Sequence, residues 1–265
     1  LEKELNARLF VRNTKEVKLS DDGKDLYRYA RQMIDLQKKI EERFETGKEE
    51  SKHLITIAAS TIPAQYLLPK ILMKFNERYP KEQVKLLETD SSQVVTQIID
   101  HMVDVGFTGT VLEKKHCKYI PFYKDELVVI TPNTEKYQKL LEDMPDDISW
   151  IGGEHLIMRE EGSGTRKEAG KQLRAAGINL DKLKIIASIE NQETIKKSVK
   201  QGMGISVISR LAAEDEVKYG DLLAFSIPEA DQGRDINLVY NKNYQMSKST
   251  ERFVKIVKEV YGIEE

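Results

Sequence analysis

The sequence predicts an α/β protein of two lobes with a cleft between them, entered through one long helix. From about residue 53 onward, short apolar runs rich in β-branched residues alternate with helical patterns, as in a sheet of parallel strands covered by helices. The alternation runs through two successive sets, one up to about residue 131 and one after residue 155, so each set is expected to build its own lobe. Ahead of both, residues 21–44 carry apolar side chains every third or fourth position with charges between them, a helical stripe that belongs to neither set.

The bulk composition agrees. With 265 residues, 40% of them hydrophobic, the chain can bury two ordinary cores. Its 42 basic and 44 acidic residues leave a formal net charge of -2, which excludes a global basic field, so any contact with nucleic acid must be local. A single cysteine, Cys117, excludes an internal disulfide and a cysteine-rich zinc site and fits a reducing compartment. No apolar run reaches the roughly 18 residues of a membrane helix, and no charged-then-apolar signal segment opens the chain. A soluble, cytoplasmic protein is expected. The chain starts on Leu1 within a helical pattern, which suggests that it is cut from something longer.

Leu1, Leu5 and Leu9 fall at i, i+4 and i+8, the stripe of a helix end. Residues 11–20 (VRNTKEVKLS) read as a small hairpin with Asn13-Thr14 as turn chemistry and Lys15 and Lys18 near its tip. Ser20 followed by Asp21 and Asp22 supplies the cap and the acidic first turn of a helix running to about Phe44, with Leu26, Ala30 beside Tyr29, Met33, Leu36, Ile40 and Phe44 on its stripe. At 1.5 Å per residue such a helix is about 36 Å long, a length suited to pairing with a copy of itself. The charged run around Gly47 reads as a linker. Strands are expected at 53–60, 83–88, 104–108, 118–123 and 126–131, with helices at 63–79 and 91–102. The second set places strands at 155–159, 184–189 and 205–208, and helices at 163–176, 192–201 and from 209. A strand at 235–240 and an amphipathic helix at 247–261 close the chain.

The most informative stretch for chemistry is Glu160-Glu161-Gly162-Ser163-Gly164-Thr165-Arg166, between a strand and a helix. Glycines let backbone N–H groups converge, the helix start adds partial positive charge and hydroxyls donate to an anion. The same stretch is equally readable as a plain turn with a Ser cap. Ser60 and Thr61 stand at the equivalent place in the first lobe, beyond the carboxyl end of a strand, where ligands of open α/β sheets bind. Ser91, Ser92, Thr108 and Thr131 occupy similar turn positions with a weaker claim. Enzyme templates fit badly: no nucleophile elbow, zinc-protease helix or phosphate loop is present. Gly202-Met203-Gly204 runs from a helix into a strand, the reverse of a dinucleotide fingerprint, and reads as a helix end. His53, His101, His116 and His155 are scattered without metal-ligand spacing. No catalytic residue, metal site or cofactor is assigned.

In combination the motifs resemble the LysR-type transcriptional regulators. Leu1-Glu2-x-x-Leu5, Leu9-Phe10-x-Arg12 and Val17-x-Leu19-Ser20-x-x-Gly23 are similar to the end of that family's recognition helix, its wing and the start of its linker helix. Ser60-x-x-x-x-Tyr66-Leu67-Leu68-Pro69, Phe75-x-x-x-Tyr79-Pro80, Asp104-Val105-Gly106 and Val199-x-x-Gly202-x-Gly204-Ile205 resemble its effector domain in order and spacing. The resemblance implies two Rossmann-like lobes of periplasmic-binding-protein type, preceded by a dimerising linker helix at 21–46 and a remnant of a winged helix-turn-helix at 1–20. The effector-binding domain would span 47–265, with lobe one at about 51–130 and 232–265, lobe two at about 131–231, and hinges near Thr131 and Asp231.

A small effector, anionic and either sulfate-like, sulfur-containing or a carboxylate, is implied between the lobes on Ser60, Thr61, Ser91, Ser92, Thr108, Thr131, Ser163 and Thr165. Promoter DNA and a homodimer or homotetramer are the implied macromolecular partners, with no membrane. The chain departs from the family at its head, where most of the DNA-reading helix is missing. Arg12, Lys15 and Lys18 of the wing are left to touch phosphates, which position a protein without specifying sequence, or simply to form a solvated hairpin. The competing readings are a transporter's solute-binding protein, against which residues 1–46 argue, and an anion-using transferase or deaminase, for which no catalytic constellation is found.

Overall fold

A computed structural model describes residues 1–12, 17–44, 54–143, 147–228 and 233–263. A short helix, α1 (Glu2–Leu5), leads into an antiparallel pair, β1 (Phe10–Arg12) and β2 (Val17–Leu19), with Phe10 opposite Leu19. Lys15 and the hairpin tip lie outside the described residues, as do the linker around Gly47 and the side chain of Arg12. Helix α2 (Asp21–Phe44) starts as its sequence dictates: Ser20 Oγ accepts a hydrogen bond from the Gly23 amide at 2.9 Å. Gly23 is required there because a Cβ would collide with the Leu9 carbonyl oxygen, so the head packs directly on the first turn of α2. Beyond that turn the apolar stripe is uncovered, with Tyr29, Met33, Leu36 and Ile40 all exposed.

The first sheet uses β3 (Leu54–Ala59), β4 (Gln83–Glu88), β5 (Val105–Thr108) and β6 (Cys117–Asp125), joined by a return strand late in the chain. A helix in two parts, a π-type turn at Pro63–Leu67 and α3 (Leu68–Arg78), follows β3, and α4 (Ser91–Ile99) follows β4. The second sheet begins with β7 (Leu127–Pro132), followed by α5 (Glu135–Glu142), β8 (His155–Arg159), α6 (Gly164–Ala175), β9 (Lys184–Ile189), α7 (Gln192–Lys200), β10 (Ile205–Ser209), α8 (Arg210–Lys218) and β11 (Leu222–Ser226). The chain then returns as β12 (Arg234–Asn241) to the first sheet and ends in α9 (Lys248–Tyr261). The sheet orders are β4-β3-β5-β12-β6 and β11-β7-β10-β8-β9.

Each strand expected from an apolar run falls on an observed one. The sheets are mixed rather than wholly parallel: β12 joins β5 and β6 antiparallel, and β7 joins β10 and β11 antiparallel, because these strands carry the chain from one lobe to the other. Helix α5 and edge strand β11 were not legible beforehand. β11 is an edge strand whose apolar run, Leu222-Leu223-Ala224-Phe225, is only four residues long.

The outward crossing corrects one boundary. β6 stays paired with β12 through Asp125, opposite Arg234, while β7 pairs with β10 from Leu127, opposite Ser209. The chain therefore changes sheets at Glu126, and Thr131 is no hinge: it sits fully buried near the far end of β7, paired with Leu223. The all-buried run Leu127–Pro132 lies inside the second sheet, between β10 and β11. The return crossing lies between Ser226 and Arg234, and the expected hinge at Asp231 falls outside the described residues.

Candidate functional site

Three strand-to-helix turns meet between the lobes. The turn after β3 brings Ser60 and Thr61, the turn after β4 brings Asp90 and Ser91, and the turn after β8 brings Glu160, Ser163, Gly164 and Thr165. All three follow parallel strands at their carboxyl ends, so three helix starts face the same space. With Ile62, Arg159 and Arg234 these residues line a narrow cleft of about 250 Å³, open solvent included.

The lobes are in close contact here. Ser92 Oγ donates to the Gly162 carbonyl at 3.5 Å, a Cβ on Gly162 would lie 2.7 Å from the Asp90 carboxylate, and one on Gly164 would lie 2.7 Å from Ser91 Oγ. The glycines of the GSGTR turn thus serve first to let the opposite lobe approach. Local capping uses one of the expected hydroxyls and one carboxylate that sequence reasoning did not single out: Ser163 Oγ accepts from the Arg166 amide at 3.3 Å, and Asp90 Oδ1 accepts from the amides of Ser92 and Gln93 at 2.7 and 3.0 Å. Ser91 Oγ is buried and makes no hydrogen bond to any described residue.

The charged groups were missed by sequence reasoning. Arg159 ends β8 and is 5% exposed; its Nε and Nη2 donate to the two carboxylate oxygens of Glu160 at 2.8 and 2.9 Å. Its Nη2 also reaches across the cleft to Thr61 Oγ1 at 3.3 Å, and its Nη1 donates to Gln192 Oε1 at 3.4 Å. Arg234 enters on β12, equally buried, with Nε and Nη2 on Asp125 Oδ2 at 2.8 and 2.7 Å and Nη1 on Thr165 Oγ1 at 3.0 Å. Asp125 also accepts from Ser209 Oγ at 2.5 Å, so the residues flanking both crossings are tied into one buried network. One signal was available: a charge set at the end of an otherwise apolar run, as Arg159 is after Leu156-Ile157-Met158, is seldom buried without a partner or a purpose.

Of the hydroxyls expected to contact a ligand, Ser60, Thr61, Ser91, Ser163 and Thr165 line the cleft, and Ser92 stands exposed at its lip. Thr108 and Thr131 do not. Thr108 is fully buried with Oγ1 donating to the Thr110 carbonyl at 2.9 Å, and Thr131 Oγ1 bonds Pro132 O at 3.3 Å at the opposite end of the second sheet. Of the wing cations, Lys18 is exposed on β2. Cys117 is buried at the first lobe's sheet edge, and burial pushes its thiol up to about 11, far from a reactive thiolate. Among the described residues no group of three or more His, Cys, Asp or Glu is placed to hold a metal, and no helix is long and apolar enough to cross a membrane.

Comparison with known proteins places this cleft in context. Residues 48–262 match the family model of the LysR substrate binding domain. An HTH-type transcriptional regulator of Methanocaldococcus jannaschii is 28% identical over 264 residues, covering 98% of this chain and 86% of the relative. The HTH-type transcriptional regulator CysL of Bacillus subtilis is 25% identical over 261 residues, covering 98% and 85%. Among solved structures, the regulatory domain of CcmR from Synechocystis, in complex with 2-PG, superposes with a TM-score of 0.70 at 24% identity over 80% of this chain and 98% of that one. A point mutant of full-length BenM matches 98% of this chain and 84% of its own with a TM-score of 0.68 at 17% identity, a likeness in fold.

Proposed function

This chain belongs to the LysR family by its substrate-binding domain, and from that premise we propose that it is a ligand-responsive transcriptional regulator whose cleft takes a small anion. The observation that carries the reading is the convergence of two buried guanidinium groups, Arg159 and Arg234, with hydroxyls from both lobes and three helix starts on one narrow space. Bidentate arginine edges and oriented amides are suited to carboxylates and other oxyanions. The site residues are Ser60, Thr61, Ser91, Ser163 and Thr165 with Arg159, while Arg234 joins Thr165 to Asp125 and so connects ligand occupancy to the crossings between lobes. Thr108 and Thr131 have no part in it.

In the same reading residues 1–20 are what this chain carries of the DNA-binding head, 21–46 the dimerising helix and 47–265 the effector domain. The first lobe then spans about 51–125 and 233–265, with the second between them. The uncovered stripe of α2 supports pairing with a second copy, in the cytoplasm and on promoter DNA, where Arg12, Lys15 and Lys18 would contact phosphates. The curated relatives carry the names of regulators, which supports a sensor over an enzyme.

The test is a thermal-shift titration of the chain with sulfate, shikimate and 2-phosphoglycolate. A ligand at 100 times its dissociation constant adds about 2.7 kcal/mol of stability. A shift with at least one probe that is lost in Arg159→Ala is expected; a shift that survives this substitution would move the site elsewhere.

A further inference from the structure

We infer that Glu160 is an internal competitor for the anion position: an effector binds by putting its own coplanar oxygens on the Nε and Nη2 edge of Arg159 in place of the Glu160 carboxylate. The inference rests on reading the cleft as an anion site and names which group the ligand displaces. The edge of Arg159 is occupied by a carboxylate in the two-pronged geometry an external carboxylate would use, at 2.8 and 2.9 Å. Glu160 is the more replaceable partner. It lies in the turn after β8, its side chain 23% exposed against 5% for Arg159, so a rotamer change delivers its carboxylate to water while the guanidinium stays buried.

A second observation points the same way. Gln192 Nε2 and Ser91 Oγ are buried polar atoms with no hydrogen bond to any described residue, Gln192 being held against Arg159 through its Oε1 and Ser91 lining the cleft. The site therefore has more donor capacity than Glu160 fills. The ligand class is a small molecule with a carboxylate or like oxyanion for Arg159 and at least one further acceptor. Because the competitor is covalently attached, apparent affinity is reduced by the fraction of molecules in which Arg159 is occupied, and removing the competitor restores it.

The test is calorimetric titration of the full chain, Glu160→Gln and Glu161→Gln with shikimate, 2-phosphoglycolate and sulfate. Glu161 is an exposed neighbour, so its substitution makes the same change of charge without freeing Arg159. At least one probe should bind Glu160→Gln about tenfold more tightly than the unsubstituted chain, with Glu161→Gln within about twofold. Binding that first becomes measurable in Glu160→Gln supports the inference equally. Equal tightening in both variants would reduce the effect to net charge and overturn it. Unchanged or weaker binding in Glu160→Gln, with probes still binding the unsubstituted chain, would also overturn it while leaving the anion reading intact. If no probe binds any of the three proteins, the anion reading falls and this inference with it. A tighter carboxylate beside unchanged sulfate would identify the carboxylate as the exchanged group.

Discussion

Arg159 and Arg234 are equally buried, line the same cleft and each face a carboxylate, yet their surroundings differ. Asp125, the partner of Arg234, is itself 1% exposed and takes a further hydrogen bond from Ser209. Glu160, the partner of Arg159, stands at the solvent edge of its turn. A buried cation with a buried counter-charge is a strut, because neither member can leave without stranding the other in a medium of low polarity. A buried cation with a partly exposed counter-charge is a socket, because its partner has water to retreat to. Exposure of the partner, more than burial of the arginine, separates structure from recognition here.

Four substitutions separate the strut from the socket. The largest effect belongs to Asp125→Ala, which strands the Arg234 guanidinium and should cost about 3–5 kcal/mol in chemical denaturation; a loss below about 1 kcal/mol would show that Arg234 is no strut. Arg159→Ala should destabilise by less, since Glu160 is freed to solvent, but should weaken anion binding about tenfold to a hundredfold, matching about 1.5–3 kcal/mol for hydrogen bonds to a charged group. The inverse pattern, a large stability loss with intact binding, would exchange the two roles.

Gly164→Ala tests the contact between lobes. The new methyl would meet Ser91 Oγ at 2.7 Å, so the cleft must widen, at a cost of about 1 kcal/mol of stability and with weaker ligand binding; a crystal structure with the lobes unmoved would count against a close-fitting cleft. The smallest effect is expected at the outward crossing, where Glu126 pairs with Arg210. The Arg210 guanidinium holds the Glu126 carboxyl below its ordinary value of 4.5. A depressed folded value means that the contribution is fully present above about pH 4.5 and is lost as pH falls through the folded value. Both side chains are more than a third exposed, so solvent screening limits the pair to a few tenths of a kcal/mol. The Tm difference between the unsubstituted chain and Glu126→Gln should accordingly be small at pH 7 and vanish toward pH 3.

Much of the architecture was legible because it depends on local period. Alternation and apolar runs located the strands of both sheets except β11, and Ser20 ahead of two aspartates located the start of α2. The helix-end reading at Gly202 is met by its positive φ of 80°. The cleft hydroxyls were legible for the same reason, since a Ser or Thr between a strand and a helix is local chemistry. The two arginines were not, because Arg159 meets Thr61 across 98 positions and Arg234 meets Asp125 across 109, and no short window contains either pair. Thr131 failed in the opposite sense: its position in an apolar strand was read correctly, but which end of the strand faces the cleft is a property of the sheet.

Sequence alone, then, determined the elements, their order, the doubling into two lobes and the family resemblance, all of which follow from residue spacing and turn chemistry acting over a few positions. Tertiary structure decided where the chain crosses between lobes, which hydroxyls meet, and which of two arginines is free to exchange its partner. Those outcomes depend on burial and on distances between residues remote in sequence, and an ion pair's strength and replaceability are set by the water each member can reach once the chain is folded.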